Sequence, residues 1–144
     1  MIESFDIKVV WLTRDPRAQV NSALKYNKWT IPEATNHWKR EMEQNEYWLK
    51  KLNINYTSLN YEALCQNPQS EMVRLLDFLN LDTSLFSLDF REQTQHIMGN
   101  YSMRLGGDTK ITERTEWMDQ LKPEEIKTIE DMTVNYRQYY RQED

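Results

Sequence analysis

Apolar positions fall into two rhythms along the chain. Residues 7–12, "IKVVWL", form a short run rich in Ile and Val with Trp, which predicts a strand buried on both faces. Asp15-Pro16 then supplies a helix N-cap followed by proline at the first helical position, so a helix is expected over residues 16–27. A second helix is predicted over residues 33–52, where Ala34, Trp38, Met42, Asn45, Leu49 and Leu52 make one stripe. Residues 54–61, "INYTSLNY", alternate and carry β-branched and aromatic types, the pattern of a second strand. "NPQSEMVRLLDFLNL" opens with an Asn-Pro cap and puts Met72, Leu75, Leu76 and Leu79 on one helical face. Residues 82–115 are irregular and polar, with a short helix expected near residues 89–95. A last helix starts at Lys122-Pro123-Glu124 and carries Ile126, Ile129, Thr133, Tyr136 and Tyr140 on one stripe.

Strand, helix, helix, strand, helix is the order of an α/β sheet with crossovers. Parallel sheets are normally covered on both faces and contain more than two strands. The pattern therefore predicts strand neighbours beyond the two that can be read.

Composition narrows the class without naming a chemistry. The 144 residues suffice for one domain with a core. No apolar run approaches the length of a membrane span, so the chain reads as soluble, and its start shows no signal-peptide pattern. Cys65, the single cysteine, excludes an internal disulfide and a cysteine-based metal site. A net charge of −5 argues against nucleic-acid binding, which needs a basic face.

Against this acidic background, residues 8–28 hold five basic side chains and one acidic one. Ligands of open α/β sheets sit beyond the carboxyl ends of the strands, where Arg14 lies. The helix beginning after Asp15 points its free N–H groups and positive dipole end at the same crevice. Ser22 shares a helical face with Asp15 and Ala18, so a phosphate oxyanion held by the Arg14 guanidinium could reach its hydroxyl. The competing reading is structural: Asp15-Pro16 caps a helix, and Arg14 pairs with a carboxylate of the fold. The local pattern leaves both open.

"KVVWLTRDPRAQVNS" resembles the 3′-phosphate-binding segment of sulfotransferases that use 3′-phosphoadenosine 5′-phosphosulfate (PAPS). "LNYEALCQNPQSEMVRLLDFLNL" is similar to a tyrosine–glutamate segment of that family followed by a proline and a helix. "HIMGNYSMR", with "TEWMDQL" downstream, resembles a carboxyl-terminal block of a carbohydrate-sulfotransferase-like branch. The resemblance implies an α/β, P-loop-NTPase-like parallel sheet and sulfuryl transfer from PAPS to a hydroxyl acceptor such as a carbohydrate, with no metal. It makes Arg14 and Ser22 ligands of the 3′-phosphate. By the same resemblance Tyr61 is expected to approach the adenine, and Gly99, Asn100 and Arg104 to belong to a loop near the nucleotide; a strand-end tyrosine packed on the core and ordinary turn chemistry are the competing readings. Arg17 is given a solvated or supporting role. Glu62 pairs with a basic neighbour or caps the next helix, and His96 is a hydrogen-bonded loop residue. Trp38, Trp48 and Trp117 are expected to be packing residues.

The chain also departs from the family. Gly99 is its first glycine, so the Gly-rich loop that holds the 5′-phosphosulfate in relatives has no counterpart before Arg14. The residues imply the carboxyl-terminal portion of a sulfotransferase domain, lacking the P-loop strand and without an assigned catalytic base. Such a portion is expected to be inactive alone and to self-associate through an exposed sheet edge. Two alternatives stay beside this reading. One is a non-catalytic remnant of the fold that binds a nucleotide or a protein; the other is a nucleotide-kinase relative, against which the absent Walker loop argues equally.

Overall fold

The structure, a computed structural model, describes residues 7–88 and 111–140. The short helix expected near residues 89–95, His96 and the loop residues Gly99, Asn100 and Arg104 lie outside them. Strand β1 (Lys8–Thr13) leads into helix α1 (Pro16–Asn27) and then α2 (Ile31–Lys51). Strand β2 (Asn55–Asn60) follows, with α3 (Tyr61–Gln66), α4 (Pro68–Leu79) and a 3₁₀ turn at Thr83–Leu85. After the undescribed stretch come α5 (Trp117–Gln120), α6 (Pro123–Met132) and a 3₁₀ helix at Val134–Tyr139.

The two strands pair in parallel, from Lys8 opposite Asn55 to Thr13 opposite Asn60. Parallel pairing requires a crossover, and α1 with α2 provides it. Trp11, Trp38, Met42, Leu49 and Tyr140 pack into an aromatic-rich core where α2 meets one face of the sheet. Lys8, Val10 and Leu12 point to the opposite face, because side chains alternate along a strand. There α4 receives Lys8, whose Nζ donates to the Phe78 carbonyl at 2.9 Å. Leu59 and Leu75 are buried, but Leu12 is 57% exposed. The expectation of a strand buried on both faces is thus corrected: α2 covers the Trp11 side, and the Leu12 end of the other side is open. A second core joins α1, α2, α5 and α6 through Ala18, Val20, Ala34, Trp117, Leu121 and Ile129.

Local chemistry explains most element boundaries. Asp15 caps α1 by accepting from the Arg17 N–H at 2.8 Å, with Pro16 inside the first turn. Helix α2 begins at Ile31, two residues before the expected start at Glu33, because Thr30 and Glu33 form a capping box. Ala34, Trp38, Met42 and Leu49 of the predicted stripe are buried, whereas Asn45 and Leu52 are exposed. No described residue is a glycine, so the left-handed positions after α2 and α4 fall to Asn53 and Asn80.

Two expectations fail at element ends. Tyr61 does not finish β2: Asn60 caps a new helix by accepting from the Ala63 N–H at 2.8 Å, and Tyr61 is its first residue. The last predicted helix does not run through Tyr140. The Thr133 hydroxyl bonds back to the Ile129 carbonyl at 2.8 Å, and the chain tightens into a 3₁₀ helix. In that geometry residues three apart eclipse, which stacks Tyr136 beside Tyr139 at 6.2 Å between ring centroids. The row of tyrosines then closes the aromatic core over Trp11 and Trp38.

Candidate functional site

In-register parallel pairing delivers the carboxyl ends of β1 and β2 side by side, Thr13 against Asn60. The residues that leave each strand therefore meet at one corner: Arg14 and Asp15 from the first, Tyr61 and Glu62 from the second. The Arg14 guanidinium lies over the Tyr61 ring, 4.4 Å from its centroid. Its Nη2 donates to the Arg114 carbonyl at a long 3.5 Å, and its buried Nε has no hydrogen-bond partner among the described residues. No described carboxylate forms an ion pair with Arg14.

Tyr61 links the corner to the segment before α5. Its hydroxyl donates to the Thr112 carbonyl at 3.4 Å and accepts from the Arg114 N–H at 3.3 Å. Burial raises the Tyr61 pKa, so the phenol stays neutral and keeps its proton to donate. Cys65, one turn further along α3, has its thiol pushed up mainly by burial, which makes it a poor nucleophile.

Arg17, three residues from Arg14, is engaged on every side. It bonds Asp15 through Nε and Nη2, at 3.0 and 2.5 Å, and Glu130 of α6 through Nη1 at 2.8 Å. Its guanidinium also stacks on Trp117, 4.3 Å from a ring centroid. The hydrogen bonds that Arg17 donates to Asp15 raise its pKa, as do the two carboxylate charges, against the cost of burial. Arg17 is a strut between the α1 N-terminus and the carboxyl-terminal helices: of the solvated or supporting role expected for it, the solvated one is corrected. Glu130 is 113 positions away, so no local spacing announces the pair.

Glu62 joins the two strand ends. Its Oε1 accepts the Asp15 N–H at 3.1 Å and its Oε2 accepts from Asn60 Nδ2 at 2.9 Å. Among the described residues it pairs with no basic neighbour, and it does not cap the next helix, the two roles its sequence position suggested. Burial raises its pKa, while the N–H groups it accepts from pull the other way. Asp15 and Glu62 thus bring two of the chain's own carboxyl groups to the start of α1. Among the described residues, the Arg14 guanidinium, rather than the helix end, is the cationic group still without a counter-charge there.

Ser22 lies two turns into α1 and lines a cavity of about 230 Å³ between α1 and α2, with Trp29, His37, Trp38 and Glu41 among its walls. The structure brings Arg14 and Tyr61 into contact and shows no contact between either and Ser22. Trp38 and Trp117 are buried packing residues, as the pattern predicts, while Trp48 is half exposed. A cavity of about 420 Å³ beside β2 is lined by Trp11, Tyr56, Arg74, Glu46 and Tyr139, among others. Among the described residues no helix is long and apolar enough to cross a membrane. No described group of His, Cys, Asp and Glu could hold a metal ion.

A model of the sulfotransferase family matches residues 6–84, more than half of the 144-residue chain. No curated protein and no solved structure matches it. The matched stretch runs from the start of β1 past α4 and contains Arg14, Ser22, Tyr61 and Glu62. Gly99, Asn100 and Arg104 lie beyond it. The mixed α/β architecture, with a parallel strand pair flanked by helices, is consistent with such a domain. By this match over most of its strand-and-helix framework, the chain belongs to the sulfotransferase family, whose chemistry is sulfuryl transfer.

Proposed function

We propose that this chain supplies the 3′-phosphate-binding side of a PAPS-dependent sulfotransferase with a hydroxyl, such as that of a carbohydrate, as acceptor. In the reaction the acceptor oxygen forms a bond to sulfur and the bond from sulfur to the 5′-phosphate oxygen breaks. Adenosine 3′,5′-bisphosphate leaves, and the hydroxyl proton passes to a base that is not assigned among these residues. The 3′-phosphate is remote from the reacting sulfur, so holding it positions the donor without taking part in bond making.

The observation that carries this reading is Arg14. A partly buried guanidinium at the carboxyl end of a parallel strand, supported by an aromatic ring and without an ion-pair partner among the described residues, suits a phosphate brought by a ligand. The capped-helix reading needs a structural carboxylate on Arg14; among the described residues Asp15 and Glu130 pair with Arg17 instead. In this assignment Tyr61 supports Arg14 and approaches the adenine. Ser22, Gly99, Asn100 and Arg104 are carried over from the resemblance as further nucleotide contacts.

Titration calorimetry with adenosine 3′,5′-bisphosphate and adenosine 5′-monophosphate tests the reading, since the pair differs only in the 3′-phosphate. Tighter binding of the bisphosphate is expected. Equal affinity for the two would leave Arg14 without a phosphate to recognise and would overturn the assignment.

A further inference from the structure

We infer that Glu62 is a positioning residue for nucleotide recognition: its carboxylate, bonded to the backbone N–H of Asp15, holds the Arg14–Asp15 peptide so that the Arg14 guanidinium rests on Tyr61. The inference rests on the reading of Arg14 as the 3′-phosphate ligand.

Three bonds connect the parts. Asn60, at the end of β2, accepts from the Ala63 N–H at 2.8 Å and so fixes the first turn of α3. The same side chain donates Nδ2–H to Glu62 Oε2 at 2.9 Å, which fixes the carboxylate plane. Glu62 Oε1 then accepts the Asp15 N–H at 3.1 Å. That amide is the second half of the peptide whose first half is the Arg14 carbonyl carbon, so holding it sets the Arg14 backbone torsion. The neighbouring residue Tyr61 places its ring 4.4 Å from the Arg14 guanidinium carbon. Two consecutive residues of α3 therefore grip two consecutive residues after β1, one through a carboxylate and one through a ring.

A residue with only a packing role would not need this geometry. Glu62 is partly buried at a site where burial disfavours its charge, and it lies beside Asp15, a second carboxyl group. An apolar side chain would be the less costly occupant there. The acceptor is needed because an Asp15 N–H left unbonded would let the corner reorient, and a small misplacement of a binding group weakens recognition steeply.

The test is the ratio of affinities for adenosine 3′,5′-bisphosphate over adenosine 5′-monophosphate in the full chain, with thermal unfolding of each variant as a control. Glu62→Ala is expected to lower the ratio about tenfold, because the bisphosphate loses an aligned Arg14 while the monophosphate has nothing to lose. Glu62→Gln keeps an oxygen for the Asp15 N–H but turns its own amide N–H toward Asn60 Nδ2, so its ratio is expected to fall between those of the parent and Glu62→Ala. Glu62→Asp withdraws the carboxylate by one methylene and is expected to fall with Glu62→Ala, which keeps the inference testable if the alanine variant does not fold. A folded Glu62→Ala or Glu62→Asp protein with an unchanged ratio would overturn it, as would a Gln variant weaker than the alanine one. Arg14→Ala separates the two levels. If that change leaves the ratio untouched, the phosphate reading itself fails; if it collapses the ratio while the Glu62 variants do not, only the role of Glu62 fails.

Discussion

Arg14 and Arg17 stand three residues apart in "RDPR" and occupy opposite environments. Arg17 has two carboxylates, a tryptophan face and a side chain only 21% exposed. Arg14 has a tyrosine face, one long bond to a backbone carbonyl and a buried Nε without a partner. Among the described residues, one arginine is saturated, and the other is held in place but left with unused donors. The difference follows from position. Arg14 leaves the strand before the helix cap and projects to the corner beside β2, whereas Arg17 lies in the first turn of α1, facing α5 and α6. A guanidinium that the fold has already neutralised contributes to stability; one that the fold only orients is available to an anion from outside.

The largest effect that would break this comparison is on stability. Arg17→Ala strands Asp15 next to Glu62 and leaves Glu130 without its partner, so unfolding in urea should show a loss of about 2–4 kcal/mol. Most of that loss belongs to the Asp15 side, because Glu130 is 39% exposed and solvent screens its share. The bisphosphate-to-monophosphate affinity ratio should change little. A stability change near zero would show that the strut is ornamental and that the two arginines are alike.

Next in size is the reciprocal change. Arg14→Ala should lower bisphosphate affinity by about 1.5–3 kcal/mol, roughly ten- to a hundredfold, and leave monophosphate affinity nearly untouched. Its cost in stability should stay under about 1 kcal/mol, the scale of a cation–π contact near the surface. Calorimetry and denaturation on the same variant measure both. An arginine that costs more in stability than in discrimination would belong to the capping account after all.

Smaller effects sharpen the picture at the Tyr61 shelf. Tyr61→Leu removes the ring under Arg14 and should weaken bisphosphate binding by about 0.5–1 kcal/mol, a few-fold in affinity. Tyr61→Phe keeps the ring and loses only the hydroxyl bonds to Thr112 and Arg114, so it should bind close to the parent. Equal weakening in both variants would shift the role of Tyr61 from ring to hydroxyl.

The smallest expected effect is a pH dependence. Burial raises the Glu62 pKa above its ordinary value, so the folded protein keeps that proton at a pH where the unfolded chain has released it. The contribution is fully present below the unfolded pKa and is lost as pH rises through the folded one. Relative to Glu62→Gln, the parent protein should therefore gain stability as pH falls through that window, read as the difference between their melting temperatures. A difference of opposite slope would mean that the N–H bonds to Glu62 outweigh its burial.

Most element starts were legible because their causes are local. The Asp15-Pro16 cap, the Pro68 start of α4 and the Pro123 start of α6 each lie where a residue type with no good alternative role occurs. The short helix α3 was missed because its six residues carry no apolar period, although Asn60 as a cap was there to be seen. The 3₁₀ end was missed because Tyr136 and Tyr140 continue the α-helical stripe, and the competing three-residue spacing of Tyr136 and Tyr139 is selected only when the Thr133 back-bond tightens the chain.

The sequence by itself determined which residue types line the strand exits and where the chain turns from strand to helix. Capping, proline geometry and side-chain period act over three or four residues, and so they can be read from the chain directly. Only the tertiary structure decided what each arginine meets. The Glu62 bond to Asp15 spans 47 positions, the Arg14 bond to Arg114 spans 100 and the Arg17 bond to Glu130 spans 113. Those partners are chosen by parallel strand register and by the packing of α1 against the carboxyl-terminal helices. Such pairings depend on where distant segments settle to bury apolar surface, and no local pattern encodes that choice.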